Sequence, residues 1–136
     1  MKKPFSLSQQ ERLKSRKQIE TLFLQGEAFF VFPYRVRYML NRQQPETGIR
    51  FGVSIPKRNF KKAVDRNRLK RLTRETYRLQ KHKLEKVNNT PGACLHLMFY
   101  FSHKEMLTYT EIEKGMSAAL KKMASIVHER LTISDQ

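Results

Sequence analysis

The side chains that most often perform chemistry in proteins are sparse in this sequence, and none falls into a working pattern. His82, His96, His103 and His128 show neither the H-E-x-x-H spacing of a helix-borne zinc site nor a Cys/His ligand spacing, and Cys94 is the only cysteine. Cys94 and His96 sit in an apolar run, where a thiol is expected to be buried and inert and an imidazole to be a satisfied core or half-core residue. Asp65 and Glu75 are embedded among cations, and Glu111 with Glu113 reads as a helix start, so carboxylates suited to two-metal chemistry are scarce. The sequence predicts no catalytic residue and no metal ligand in this chain.

The chemistry it does offer is phosphate recognition. Between Lys57 and Lys83 there are twelve Lys and Arg against only Asp65 and Glu75, a local charge of +10, and the other 109 residues share the remaining +6. At helical spacing Leu69, Leu72, Thr76 and Leu79 form one stripe, while Asn67, Lys70, Arg71, Arg74, Arg78 and Lys81 gather opposite. A solvated helix face usually interleaves acids with bases four residues apart, whereas this one repeats like charges at Lys70/Arg74 and Arg74/Arg78, with Lys57/Lys61 just ahead of it. Such pairs disfavour the free protein. Arg in preference to Lys at 66, 68, 71, 74 and 78 suits planar, bidentate phosphate contact. Arg68 lies towards the apolar stripe, so an ion-paired or snorkelling structural role stands beside a direct nucleic-acid contact.

The composition agrees. The 136 residues suffice for one domain, read here as a single nucleic-acid-binding domain spanning 1–136 with residues 1–14 as an extended arm, and the net charge is +16. That excess calls for a polyanionic partner, and nucleic acid is the commonest in a cell. One cysteine excludes an internal disulfide. The basic N-terminus is followed by Leu-Ser-Gln-Gln-Glu-Arg, not by an apolar segment, and no later run is long enough for a membrane span, which predicts a cytoplasmic protein with no membrane association.

The elements that must position the basic stretch can be read from the punctuation. Ser15 to Gln18 is a capping-box pattern opening a helix over 16–25, with Ile19, Leu22 and Phe23 on one stripe and Gly26 at its end. Residues 29–40 alternate as a strand, with Arg35 and Arg37 opposite Tyr34, Val36 and Tyr38. A turn over 41–48 and a second strand over 49–55 complete an expected hairpin. A long helix over 63–86 ends in Asn88-Asn89-Thr90-Pro91-Gly92. Residues 94–102 are apolar enough for an interior strand. Thr110 to Glu113 is a second capping-box pattern, opening a final helix with Ile112, Met116, Ala119, Leu120, Met123 and Val127 on its buried side. The order α-β-β-α-β-α predicts an α+β fold, an α/β sandwich with helices packed on a small mixed sheet.

Residues Ala63 to Glu75 read A-V-D-R-N-R-L-K-R-L-T-R-E and resemble the A-V-x-R-N-R-x-K-R-x-x-R-E signature of the bacterial ribonuclease P protein component. The likeness continues in Phe51 to Arg58, a strand ending in paired basic residues, and in the opening from Leu13 through Phe23 to Gly26, and covers most of residues 10–130. It implies the protein subunit of a ribonucleoprotein endonuclease that removes the 5′ leader from precursor tRNA. Its catalytic centre would lie in the RNA subunit, with Mg²⁺ bound mainly by that RNA. It further implies that Lys57, Arg58, Lys61, Lys62, Arg66, Asn67, Arg68, Lys70, Arg71 and Arg74 face the RNA subunit, that Phe23, Arg35 and Arg37 line a leader-binding cleft, and that a βαβ crossover is left-handed, against the usual rule. Two departures stand out. Ile19 occupies a position often aromatic in relatives, and Arg37 stands near another, so this cleft would depend more on charge than on stacking. The partners implied are ribonuclease P RNA and precursor tRNA, and no feature points to an obligate protein partner. Composition alone would serve equally well for a structural RNA-binding module such as a ribosomal protein, and a self-sufficient nuclease is the remaining alternative.

Overall fold

Ser15 opens the first helix as expected: its hydroxyl accepts the Gln18 N–H at 3.3 Å, and the chain runs as α1 over Arg16–Gln25 until the Gly26 N–H closes on the Leu22 carbonyl at 2.8 Å. The computed structural model describes residues 11–134, so most of the expected N-terminal arm lies outside the described residues. The chain after α1 departs from the single strand expected over 29–40. Pro33 lies inside that run, lacks the N–H that a ladder needs, and fixes its own φ. The run accordingly divides into β1, Glu27–Val31, and β2, Tyr34–Asn41, which pair antiparallel around the Phe32–Pro33 turn.

The expected hairpin between β2 and the next strand does not form. β3, Gly48–Ser54, pairs in parallel with β4, Cys94–Phe101, and β4 pairs antiparallel with β2, giving the order β1-β2-β4-β3. The reason lies in β4, whose sequence is apolar at almost every position and which is buried on both faces. It takes an interior place, and the chain between β2 and β3 passes over its start. That passage is tied down by Gln44 N–H to the Gly92 carbonyl and Gly48 N–H to the Ala93 carbonyl, both at 3.0 Å, and by Gly92 N–H to the Thr47 hydroxyl at 2.8 Å.

The basic helix α2 spans Ala63–Gln80 and then tightens through a 3₁₀ turn, Lys81–Leu84, into α3, Glu85–Asn88, so the one helix expected over 63–86 is two with a joint. Its buried side carries Leu69, Thr73, Thr76 and Tyr77. The expected stripe is therefore rotated: Leu79 is exposed and Thr73 and Tyr77 are core. Tyr77 stacks flat on Phe51 with ring centres 3.9 Å apart, and the Tyr34 hydroxyl lies 2.8 Å from that of Thr73. The last helix, α4, Tyr109–Ser134, buries the six residues expected of it together with Leu131. Its capping box forms two residues earlier than expected, with Thr108 and Glu111 exchanging bonds, Thr108 N–H to the carboxylate at 3.1 Å and Glu111 N–H to the hydroxyl at 3.2 Å.

Alternation along the strands assigns the two faces of the sheet. Tyr34, Val36, Phe51, Leu95, Leu97, Phe99 and Phe101 meet α2 and α4 in the main core. Met98 on the other face meets Leu13 and Leu22, with Ile19, Met39 and Tyr100 beside them, in a smaller cluster under α1. The result is the α+β sandwich expected, with α2 and α4 on one side of the sheet and α1 on the other.

Candidate nucleic-acid interface

The loop leaving β3 and the outer side of α2 form one continuous basic surface. Lys57, Arg58, Lys61, Lys62, Asn67, Arg68, Arg71 and Arg74 are exposed, and Lys70 and Arg66 are half-buried. The helix has no side-chain cap at Lys62. Arg66 ties the entry instead: its Nη1 donates to the Phe60 carbonyl at 2.7 Å and to the Lys61 carbonyl at 3.0 Å. This gives Arg66 a structural task that spacing does not reveal, because a charged residue one turn into a basic helix looks the same whether it points at solvent or back at its own loop. Farther along, Arg78 pairs with Glu75, and Lys81 Nζ reaches Glu11 at 2.8 Å, so the basic face is partly neutralised at its C-terminal end, while towards its start no ion pair forms among the described residues.

The segment before α1 borders this surface. Leu13 N–H donates to the Phe51 carbonyl at 2.8 Å, and Arg12 forms a bridge with Phe51, so residues 12–13 add to the open edge of β3. This places Arg12 beside Arg74, where burial first and the Arg12 guanidinium second hold Arg74 below the usual arginine range. Like charge from Arg12 disfavours the cation at Arg74, and a nearby anion would relieve that repulsion. The sequence gives no local sign of Arg12, whose position depends on a pairing across the sheet edge.

The opposite face of the sheet carries the other group of expected residues. Phe23 leaves the buried stripe of α1 and is 57% exposed, and the Arg37 guanidinium lies 4.5 Å from its ring centre. Arg37 also donates to the Phe23 carbonyl at 3.1 Å, fixing strand against helix. Phe23 and Arg37 are thus brought together. Arg35 is exposed on the same face but lies one row farther along, opposite Phe30 on β1 and Tyr100 on β4. Tyr100, reading outward between the buried Phe99 and Phe101, is a residue of this face that the assignment of the whole strand as interior obscures. Burial pushes its hydroxyl up and Arg37 draws it down.

At the other end of the same face His96 is 7% exposed, its Nδ1 has no hydrogen-bond partner among the described residues, and burial followed by the Arg50 charge pushes its pKa down. The expected burial holds, while the expected hydrogen-bond satisfaction at that nitrogen does not. Cys94 is half-buried, and burial pushes its thiol up, which disfavours the thiolate. Among the described residues no three His, Cys, Asp or Glu come together in a way that could hold a metal ion, and no helix is long and apolar enough to cross a membrane.

The family model of ribonuclease P matches residues 7–124. The ribonuclease P protein component of Porphyromonas gingivalis is 38% identical over 123 residues, covering 90% of each chain. Among solved structures, the ribonuclease P protein of Staphylococcus aureus aligns with a TM-score of 0.64 at 18% identity, over 83% of this chain and 94% of that one. That of Thermotoga maritima gives 0.64 at 22% identity, over 82% and 96%. The structural likenesses speak for the fold. The match along almost the whole sequence goes further, and with it the chain belongs to the ribonuclease P protein family.

Proposed function

We infer that this chain is the protein subunit of ribonuclease P, which works with a catalytic RNA in removing the 5′ leader from precursor tRNA. The observation that carries the reading is the family match across residues 7–124, which includes the whole of the basic helix. A ribosomal-type RNA-binding module is not favoured, because charge alone would support it and the family match does not.

Within that function the division of labour follows the two surfaces. The face made by Lys57, Arg58, Lys61, Lys62, Asn67, Arg68, Lys70, Arg71 and Arg74 takes the RNA subunit, with Arg66 holding the loop that presents it. The face with Phe23, Arg35 and Arg37 takes the single-stranded leader, arginines following phosphates and the Phe23 ring offering a stacking surface. The protein lowers phosphate repulsion and positions the leader, while the Mg²⁺ needed for hydrolysis is held mainly by RNA. The location consistent with this work is the cytoplasm.

The test separates the surfaces. Replacing Arg35 and Arg37 together by Ala raises the Kd of the holoenzyme for precursor tRNA and leaves that for mature tRNA, which has no leader, nearly unchanged. Replacing Arg71 and Arg74 by Ala weakens assembly with the RNA subunit whichever substrate is offered. Equal losses for precursor and mature tRNA in the Arg35/Arg37 variant refute the leader assignment.

A further inference from the structure

Phe30 is half exposed at 51%, although it stands in a strand whose other aromatic, Phe29, packs onto the core. Alternation explains its direction: Glu27, Phe29 and Val31 turn towards α4, where Glu27 pairs with Arg130, and Phe30 turns to the α1 side of the sheet. The strand register then places it at the end of a row. Phe30 lies opposite Arg35, Arg35 opposite Tyr100, and Tyr100 opposite Ser54, three residues before Lys57 and Arg58. The row crosses the sheet at right angles to the strands over about 14 Å, three strand spacings. It starts at Ser54, at the end of β3 just ahead of the basic loop, and ends at an exposed ring on the outer edge, and directly opposed side chains in it are close enough to contact one ligand.

We propose that Phe30 is the outer base-stacking platform of the leader track, taking a leader base on its ring while Arg35 holds the adjoining phosphate. The proposal rests on the reading that this sheet face binds the leader, and it assigns that face a direction, from the Lys57/Arg58 loop across Tyr100 to the β1 edge. The occupant is single-stranded RNA on grounds of charge: the ring is flanked by Arg35 with Arg37 in the next row, and a ring beside guanidiniums offers a stacking plane and phosphate donors together. Phe23 and Arg37, already in contact with each other, form a separate station in that neighbouring row.

The experiment uses holoenzyme assembled from the full chain and the catalytic RNA, with precursor tRNAs whose leaders lengthen one nucleotide at a time. With the unaltered protein, affinity rises stepwise with leader length. Phe30→Ala removes one of the outer steps, a loss of roughly tenfold, and the loss is confined to leaders long enough to reach β1. Phe30→Tyr restores the step. An abasic nucleotide at the same leader position costs the unaltered holoenzyme the same factor and costs the Phe30→Ala holoenzyme nothing more. Equal loss at every leader length, no loss at all, additive losses from the abasic site and the variant, or a Phe30-dependent dimer in sedimentation would each overturn the proposal. The Arg35/Arg37 variant run alongside identifies which reading fails: if it keeps full affinity for precursor tRNA, the leader face itself is wrong, and if it loses affinity while Phe30→Ala does not, only the outer platform is wrong.

Discussion

Replacing Arg66 by Ala should damage the fold and the RNA interface together, unlike the same change at Arg71. Arg66 donates two hydrogen bonds from Nη1 to the carbonyls of Phe60 and Lys61, the first partly buried and the second exposed. A charged donor on a buried acceptor contributes about 1.5–3 kcal/mol, and the exposed bond adds less, so the loss should be about 2 kcal/mol. For a domain of this length that corresponds to a fall in Tm of roughly 6–10 °C. Arg71 is exposed and makes no hydrogen bond or ion pair among the described residues, so Arg71→Ala should change stability by less than about 0.5 kcal/mol. Thermal melts followed by circular dichroism, beside titrations with the RNA subunit, separate the two effects. Arg66→Lys should recover part of the stability, because an ammonium can reach a carbonyl but cannot reproduce the fixed guanidinium plane. Equal melting temperatures for Arg66→Ala and Arg71→Ala would refute the role of Arg66 as a clamp on the loop.

The same geometry has other consequences. If about six phosphates are neutralised, log K for the RNA subunit should fall against log salt with a slope of roughly −4 to −5, and Arg71→Ala with Arg74→Ala should flatten it by roughly two; a slope near −1 in the unaltered protein would exclude an extended interface. Burial raises Tyr34 to about 12 from an ordinary 10, so its neutral form is the one that fits the fold. Stability from this group is complete below pH 10 and declines as pH rises towards 12, and Tyr34→Phe should reduce the slope of unfolding free energy against pH in that window. Gly115→Ala should lower stability by about 1–3 kcal/mol despite the better helix propensity of Ala, because a Cβ there would lie 2.5 Å from Pro33 Cδ and 2.7 Å from the Phe32 carbonyl oxygen. A denaturant melt with an unchanged or raised midpoint would show that the β1–β2 turn yields.

How legible each part was in the sequence depends on whether its cause is local. The N-terminus of α1 and the buried face of α4 are set by residues within a few positions of one another, and both form as their patterns direct. The start of α4 is less determinate, since Thr108/Glu111 and Thr110/Glu113 both satisfy the capping pattern and only the first is used. The sheet order is not local. Nothing in the turn over 41–48 tells the chain to step past β4; the apolar character of β4 does, by claiming an interior place, and that signal lies some fifty residues downstream. The site divides in the same way. Exposure of most of the basic face of α2 is readable from helical spacing, although the stripe beneath it is rotated to use Thr73 and Tyr77 in place of Leu79. The inward turn of Arg66, the approach of Arg12 to Arg74 and the contact of Arg37 with Phe23 all depend on segments that meet only after folding.

The central claim is that this chain acts by assisting a catalytic RNA and performs no cleavage itself. It is tested most directly by combining purified protein, the catalytic RNA and precursor tRNA in Mg²⁺ at near-physiological salt and following release of the 5′ leader. Strong cleavage with both components, little with the RNA alone and none with rigorously RNA-free protein is the predicted result. Leader release by the protein alone, or cleavage by the RNA that the protein leaves unchanged, would contradict it.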